Sequence, residues 1–272
     1  MEIKDIALVL TGGAANGRRL ALAARLGHEH GALVTGVFCT GSPPSPPSEG
    51  YAIGQVAVAE VVDREARRVH DLAAPTEAAF RQAMQAEQAS CAWDEPAVDE
   101  LAETTALRAR TADLAILGSE DVALADALVS AGWAPCLITP ETGRESRSFD
   151  QIILAWNGSR EAKRALDDGL VFLKRARAVE VVVADEPGRP VGAPQTQALL
   201  AHLARHGVQA SLCRTPRSDG RPAEALRRRC EAFGADLLIM GAFTHSRTVE
   251  MIFGGVTRSM LSDPPIPVLA CR

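Results

Sequence analysis

The sequence predicts an α/β protein made of two tandem doubly wound units, each a five-stranded parallel sheet with helices on both faces. Three observations predict it. Short apolar runs of strand length alternate with segments whose apolar residues recur at helical spacing, the pattern of a parallel sheet covered on both sides. The chain also aligns with itself: Ala112-Asp113-Leu114-Ala115-Ile116-Leu117-Gly118 answers Ala235-Asp236-Leu237-Leu238-Ile239-Met240-Gly241, and a Gln-Ala-Ser tripeptide precedes each, at Gln88 and Gln209. Finally, 47% of residues are hydrophobic but only 4% aromatic, and this Ala, Val and Leu content suits helices packed on a parallel sheet better than a β-sandwich.

Taken in order, residues 6–10 read as a strand, 14–30 as a helix and 32–38 as a second strand. The segment TGSPPSPPSEG at 40–50 is an expected loop, because its prolines exclude helix and strand interiors. Residues 56–88 carry apolar positions at helical spacing among Arg, Glu and Gln, which predicts one or two helices. Cys91 and Trp93 belong to a short strand. A helix at 98–110, a strand at 114–117, a helix at 122–131 and a strand at 136–139 follow. Polar residues from Glu141 to Ser148 mark the expected boundary, giving domains 1–143 and 149–272. The second half repeats the order: strands at 152–156, 179–183, 209–213, 237–240 and 268–271, helices at 160–175, 195–206, 221–233 and 256–261. Its exposed loop is EPGRPVGAP at 186–194. Pro264, Pro265 and Pro267 stop the last helix before the closing strand.

At 272 residues the chain has room for two domains of ordinary size. A net charge of -5 argues against nucleic acid or an anionic membrane as the main partner, since both call for a basic surface. The six cysteines show no C-x-x-C and no metal-ligand spacing, which suits reduced buried thiols of a cytosolic protein. The amino terminus MEIKDIALVL lacks the features of a signal peptide, and no run approaches the roughly 20 apolar residues of a membrane span. The protein is expected to be soluble and cytoplasmic.

Residues 235–272 (ADLLIMGAFTHSRTVEMIFGGVTRSMLSDPPIPVLACR) combine a buried strand, a glycine-bearing loop, a helix start and a last strand. This run resembles the C-terminal signature of the universal stress protein family, whose glycines cradle the phosphates of ATP. The resemblance implies a Rossmann-like, adenine nucleotide alpha-hydrolase-like fold in each half. The matching positions are Gly241, Thr244, Gly254 and Gly255; Thr244 replaces a glycine and Gly255 replaces a hydroxyl residue. The loops implied to bind nucleotide follow the first and fourth strands of the half. Trp156, Asn157 and Ser159 lie in the first, and Val183 ends the neighbouring strand. Thr244, His245 and Arg247 follow Gly241, and Val256 and Thr257 follow the glycine pair. Gly254 and Gly255 would bare amides at a helix start, where the backbone partial charge favours an anion; equally, they can serve a tight loop. Asn157 stands where nucleotide-binding members carry an Asp. Trp156 can fill the pocket or stack on a base. Mg²⁺ is expected only with ATP. The family resemblance also implies pairing of last strands, so residues 136–139 and 268–271 can join within the chain, with homodimerisation through other surfaces.

The first half is expected to be a structural partner. Only residues 119–133 separate Gly118 from Ala134, against 242–265 between Gly241 and Ile266, so its phosphate loop is lost. Its Thr11-Gly12-Gly13-Ala14-Ala15-Asn16-Gly17-Arg18-Arg19 mimics a P-loop in glycine spacing but has Arg in place of Lys and no Ser or Thr for Mg²⁺. His202 and His206 stand four apart on a helix, a spacing that can hold a metal, although no third ligand is near in sequence. Cys39, before the proline-rich loop, can be exposed enough to react, but no flanking Lys or His marks a lowered pKa. The run Arg227-Arg228-Arg229 reads as the solvated face of a helix. No catalytic constellation is visible. The expected function is a stress-response regulatory module binding adenine nucleotide weakly in its second half; the alternatives are a non-binding interaction scaffold and a low-turnover ATP hydrolase.

Overall fold

The computed structural model describes residues 2–12, 16–39, 55–94, 108–120, 122–142, 148–184, 191–215, 222–242 and 255–272, with backbone alone for 55–66, 68, 184 and 215. The expected loop at 40–50, most of the helix at 98–110 and most of the loop at 186–194 lie outside these residues. The elements are β1 (Asp5–Leu10), α1 (Asn16–His30), β2 (Leu33–Phe38), α2 (Gln55–Ala86), β3 (Ser90–Asp94), β4 (Leu114–Gly118), α3 (Val122–Ala131), β5 (Cys136–Thr139), β6 (Gln151–Trp156) and α4 (Arg160–Leu173). They continue with β7 (Ala178–Ala184), α5 (Ala193–Arg205), β8 (Ala210–Thr215), α6 (Pro222–Phe233), β9 (Leu237–Gly241), α7 (Gly255–Ser262) and β10 (Val268–Cys271). Strands and helices alternate as the periodicity predicts, and the fold is α/β with mostly parallel strands flanked by helices.

Contacts divide the chain into two compact units, Ile3–Ile116 and Leu117–Arg272. The division falls inside β4, not in the polar segment 141–148 where the sequence pattern restarts. The cause is strand pairing. β5 runs antiparallel to β10, with Cys136 opposite Ala270, Leu137 opposite Leu269 and Ile138 opposite Val268. Each strand satisfies the other's backbone N–H and C=O groups, so the last strand of the first repeat joins the compact unit of the second. Helix α3, which precedes β5 in the chain, lies in the same unit and packs against α7.

In the first unit the strand order is β3-β2-β1-β4, all parallel. Gly36 of β2 lies beneath Trp93, whose ring stands 2.8 Å from where a Cβ would be, and Phe80 packs 5.5 Å from the same ring, centroid to centroid. The segment expected to hold one or two helices is one helix, α2, running through Pro75. Its Leu72 side chain lies 3.3 Å from the Cβ position of Gly12 and so covers the turn after β1. That turn is closed by Asn16, whose Oδ1 accepts from the Thr11 N–H at 3.3 Å. Arg19, in the P-loop-like text, is buried and donates to the Val9 carbonyl at 3.0 Å.

In the second unit the order is β5-β10-β9-β6-β7-β8, parallel apart from β5. Helices α6 and α7 cover one face: Leu226, Cys230 and Met260 pack with Ile153, Val182, Leu238, Met240 and Val268. Helix α4 covers the other face, where Gly169 lets it sit on Ile239, 2.8 Å from the missing Cβ. The repeated Ala-Asp-Leu text has the same task in both units. Asp236 Oδ2 accepts from Gln151 N at 3.0 Å, and Asp113 Oδ2 accepts from Lys4 N at 2.8 Å and Asp5 N at 3.0 Å. Each Asp ties the entry of one strand to the entry of its parallel neighbour and so fixes register.

Two expectations are corrected. The arginine run is not simply a solvated face: Arg229 makes a two-pronged ion pair with Glu180, a β7 residue only 4% exposed, and Arg227 donates to the Ser259 carbonyl at 2.9 Å. Both partners are distant in sequence, which is why helix periodicity alone hides them. Cys39 is buried rather than exposed, because β2 carries it under cover at its end, where its N–H bonds the Leu10 carbonyl at 2.8 Å.

Candidate functional site

Parallel strands deliver their last residues to one edge of the sheet, and the edge formed by β6, β7 and β9 carries most of the described candidates. Register sets Trp156 beside Val183, and Ala155 beside Met240 with Gly241 next in line. Trp156 is half-buried, and its indole Nε1 has no hydrogen-bond partner among the described residues. Val183 is fully buried. Thr244, His245, Arg247 and Gly254 lie outside the described residues.

The turn after β6 is organised for starting a helix. Gly158 takes φ +74, a left-handed conformation that costs glycine little. Asn157 Oδ1 accepts from the Ser159 N–H at 3.1 Å, and Ser159 Oγ accepts from the Ala162 N–H at 3.1 Å as the N-cap of α4. Glu161 adds a carboxylate to the first helical turn, 8% exposed and paired with Arg160 at 3.4 Å. The positive end of α4 is therefore occupied by the chain's own oxygens, and a buried carboxylate there repels a second anion. Sequence reading overlooked Glu161. Its available signal was an acidic residue two positions after an N-cap serine.

Gly241 has a packing role. A Cβ at this position would stand 2.5 Å from Ala162 N and 2.5 Å from the Glu161 carbonyl carbon, both backbone atoms of α4. The first glycine of the loop thus admits a helix. Gly255 differs: it is exposed, opens α7, and no described residue lies within 4 Å of its Cβ position. Val256 packs on the core beneath and Thr257 is buried, so α7 is anchored one residue beyond its open end. Arg227 strengthens the anchor by bonding Ser259 Oγ at 3.2 Å and pairing with Asp263 at 3.1 Å. Of the two helix starts at this edge, only α4 has its first amides capped by described side chains; α7 begins with an exposed glycine.

Known proteins share the sequence of the second half and the fold of the chain. The model of the family described as "Universal stress protein family" matches residues 148–272. A Thermus aquaticus universal stress protein is 31% identical over 139 residues, 46% of this chain and 99% of its own length. The Synechocystis universal stress protein Slr1230 is 28% identical over 145 residues, and the chain spans about half (47%) of that relative. Among solved structures, a universal stress protein from Archaeoglobus fulgidus superposes with a TM-score of 0.70 at 14% identity, over 98% of this chain and 96% of that one. A Pseudomonas aeruginosa PAO1 protein of unknown function gives a TM-score of 0.61 at 16% identity, over 99% of this chain and 92% of that one. At such identities the two structures speak for the fold alone. No helix among the described residues is long and apolar enough to cross a membrane.

Proposed function

The chain belongs to the universal stress protein family, and from that premise we propose that it is a tandem stress-response module whose second repeat holds adenine nucleotide weakly. The repeats are 1–143 and 149–272, working in the cytoplasm as a single chain or a homodimer. The observation that carries the reading is Gly255, an exposed residue with no side chain of its own at the first position of α7, where backbone amides can meet a phosphate.

The residues fit ATP in part. Gly255, Val256 and Thr257 offer a helix start for the phosphates, while Trp156 and Val183 flank the strand ends where the nucleoside would lie. ATP, when bound, would bring a negative triphosphate to the positive end of α7, with Mg²⁺ as its counter-ion. Against tight binding stand Asn157 and Ser159, whose side-chain oxygens are engaged in capping α4, and the buried Glu161. Hydrogen bonds already made must be broken or shared before they serve a ligand, so weak affinity is the expectation. The first repeat acts as a structural partner, since Leu72 lies across the turn after β1 where a nucleoside would need space.

Isothermal titration of the full chain with ATP, ADP and AMP, with and without Mg²⁺, tests the reading. ATP is expected to bind more tightly than AMP, and Gly255→Val to weaken ATP binding about tenfold, a loss of about 1.4 kcal/mol. Release of inorganic phosphate during the titration would favour the ATP hydrolase. Absence of heat with every nucleotide would leave the interaction scaffold.

A further inference from the structure

We propose that His202 and His206 form a two-imidazole site for a divalent transition metal, of the Cu²⁺, Ni²⁺ or Zn²⁺ class, at the carboxyl end of α5. The backbone is fixed for it. His206 is the C-cap residue of α5, its N–H bonds the His202 carbonyl at 3.3 Å, and Gly207 follows at φ +81 to end the helix. The two side chains therefore leave the same helix face one turn apart. Their ring centroids stand 4.7 Å apart. A metal 2.0–2.1 Å from one nitrogen of each ring, with a ligand angle between square and tetrahedral, requires centroids about 4.5 to 5.2 Å apart. The observed spacing lies in that window. Rotation about each Cβ–Cγ bond chooses which nitrogen faces the metal and barely moves the centroid, so chelation needs no backbone movement.

The electrostatics agree. His202 Nε2 is buried without a hydrogen-bond partner among the described residues, so no bond holds the ring against the turn about Cβ–Cγ that brings a nitrogen to the metal. Burial, then His206, Lys163 and Arg205, hold the His202 pKa below its ordinary value, with Asp167 opposing them. Neutral imidazole is the form that binds metal. The carbonyl end of α5 carries the negative end of the helix dipole, which favours a cation. Lys163 and Arg205 disfavour one, but the Lys163 ammonium is paired with Asp167 on the same helix, α4. Among the described residues no third His, Cys, Asp or Glu completes a cage, so water fills the remaining positions. Two imidazoles with water select by the ordinary order of divalent affinities, Cu²⁺ above Ni²⁺ and Zn²⁺ and all three above Mn²⁺.

The test uses the untagged full chain, titrated with CuCl₂, NiCl₂ and ZnCl₂ at pH 7.5 and 5.5, with electron paramagnetic resonance of the Cu²⁺ complex. The expected result is one equivalent of bound Cu²⁺ with two equatorial nitrogens, weaker at pH 5.5 than at pH 7.5 and weakened at least tenfold in both H206Q and H202Q. H202Q leaves the C-cap residue untouched and so separates loss of a ligand from damage to the helix end. H28Q/H30Q, which alters a pair two apart on α1 that does not share a face, is expected to bind as the parent does. Cu²⁺ is also expected to raise the melting temperature of the parent and not of H206Q. Retention of the site in H206Q, its loss in H28Q/H30Q, a single-nitrogen spectrum or no stoichiometric binding would each overturn the proposal.

Discussion

Replacing Gly241 by alanine puts a methyl carbon 2.5 Å from two backbone atoms of α4, and backbone cannot step aside as a flexible side chain can. Gly241→Ala is therefore expected to destabilise the protein by about 3 kcal/mol. Gly255→Ala places the same methyl in open space at a helical position, where alanine is preferred over glycine, and is expected to stabilise by a few tenths up to about 0.5 kcal/mol. Urea denaturation of the two variants checks both signs. The pair also marks how far the sequence could be read at this scale. Both glycines were legible as candidate loop residues, but what a Cβ would touch depends on Glu161 and Ala162, which sit some eighty positions away from Gly241. Trp156 and Asn157 were placed correctly at the end of the strand. That Asn157 spends its oxygen on the Ser159 N–H is a matter of turn geometry.

Between elements, the ion pair of Glu180 and Arg229 holds α6 to the centre of β7, with the two side chains 6% and 33% exposed. Arg229→Met strands a buried carboxylate and is expected to cost about 2 kcal/mol, the low side for a buried pair because the guanidinium is partly in water. The double variant Glu180→Leu/Arg229→Met removes both charges and is expected to recover most of that loss. A double-mutant cycle by denaturation would contradict the assignment if the two single changes simply added. Here the sequence was misleading, since three consecutive arginines on an amphipathic helix read as solvent-facing. The charge in AVEVVVA was the available clue: a lone Glu inside an apolar strand needs a cation. By contrast, the Asp of each Ala-Asp-Leu run was legible as part of the repeat. Its task was not, because the bonds from Asp236 to Gln151 and from Asp113 to Lys4 span 85 and 109 positions.

Over the whole molecule, the order of strands and helices was legible because it rests on local periodicity, and the pairing of β5 with β10 was expected from the family resemblance; that this pairing moves β5 into the compact unit of the second repeat was not legible. Two measurements follow from the burial pattern. Cys39, Cys136, Cys230 and Cys271 are buried, and burial lifts Cys136 and Cys230 to about 12 and Cys271 well above its ordinary value. A thiol-disulfide reagent at pH 8 is expected to label Cys91 and Cys213 in the folded protein and all six thiols once guanidinium has unfolded it. A fragment of residues 148–272 lacks β5 and leaves one side of β10 without its ladder, so it is expected to self-associate in analytical ultracentrifugation more strongly than the full chain, in which β5 covers that side.

The tie of Cys136–Thr139 to Val268–Cys271 also changes how the protein responds to scarcity. Two separate chains joined through such an edge would part as their number in the cell fell. Here each end strand finds its mate on its own chain, at an effective concentration that no dilution lowers. A cell holding only a few copies would still have every one of them fully assembled.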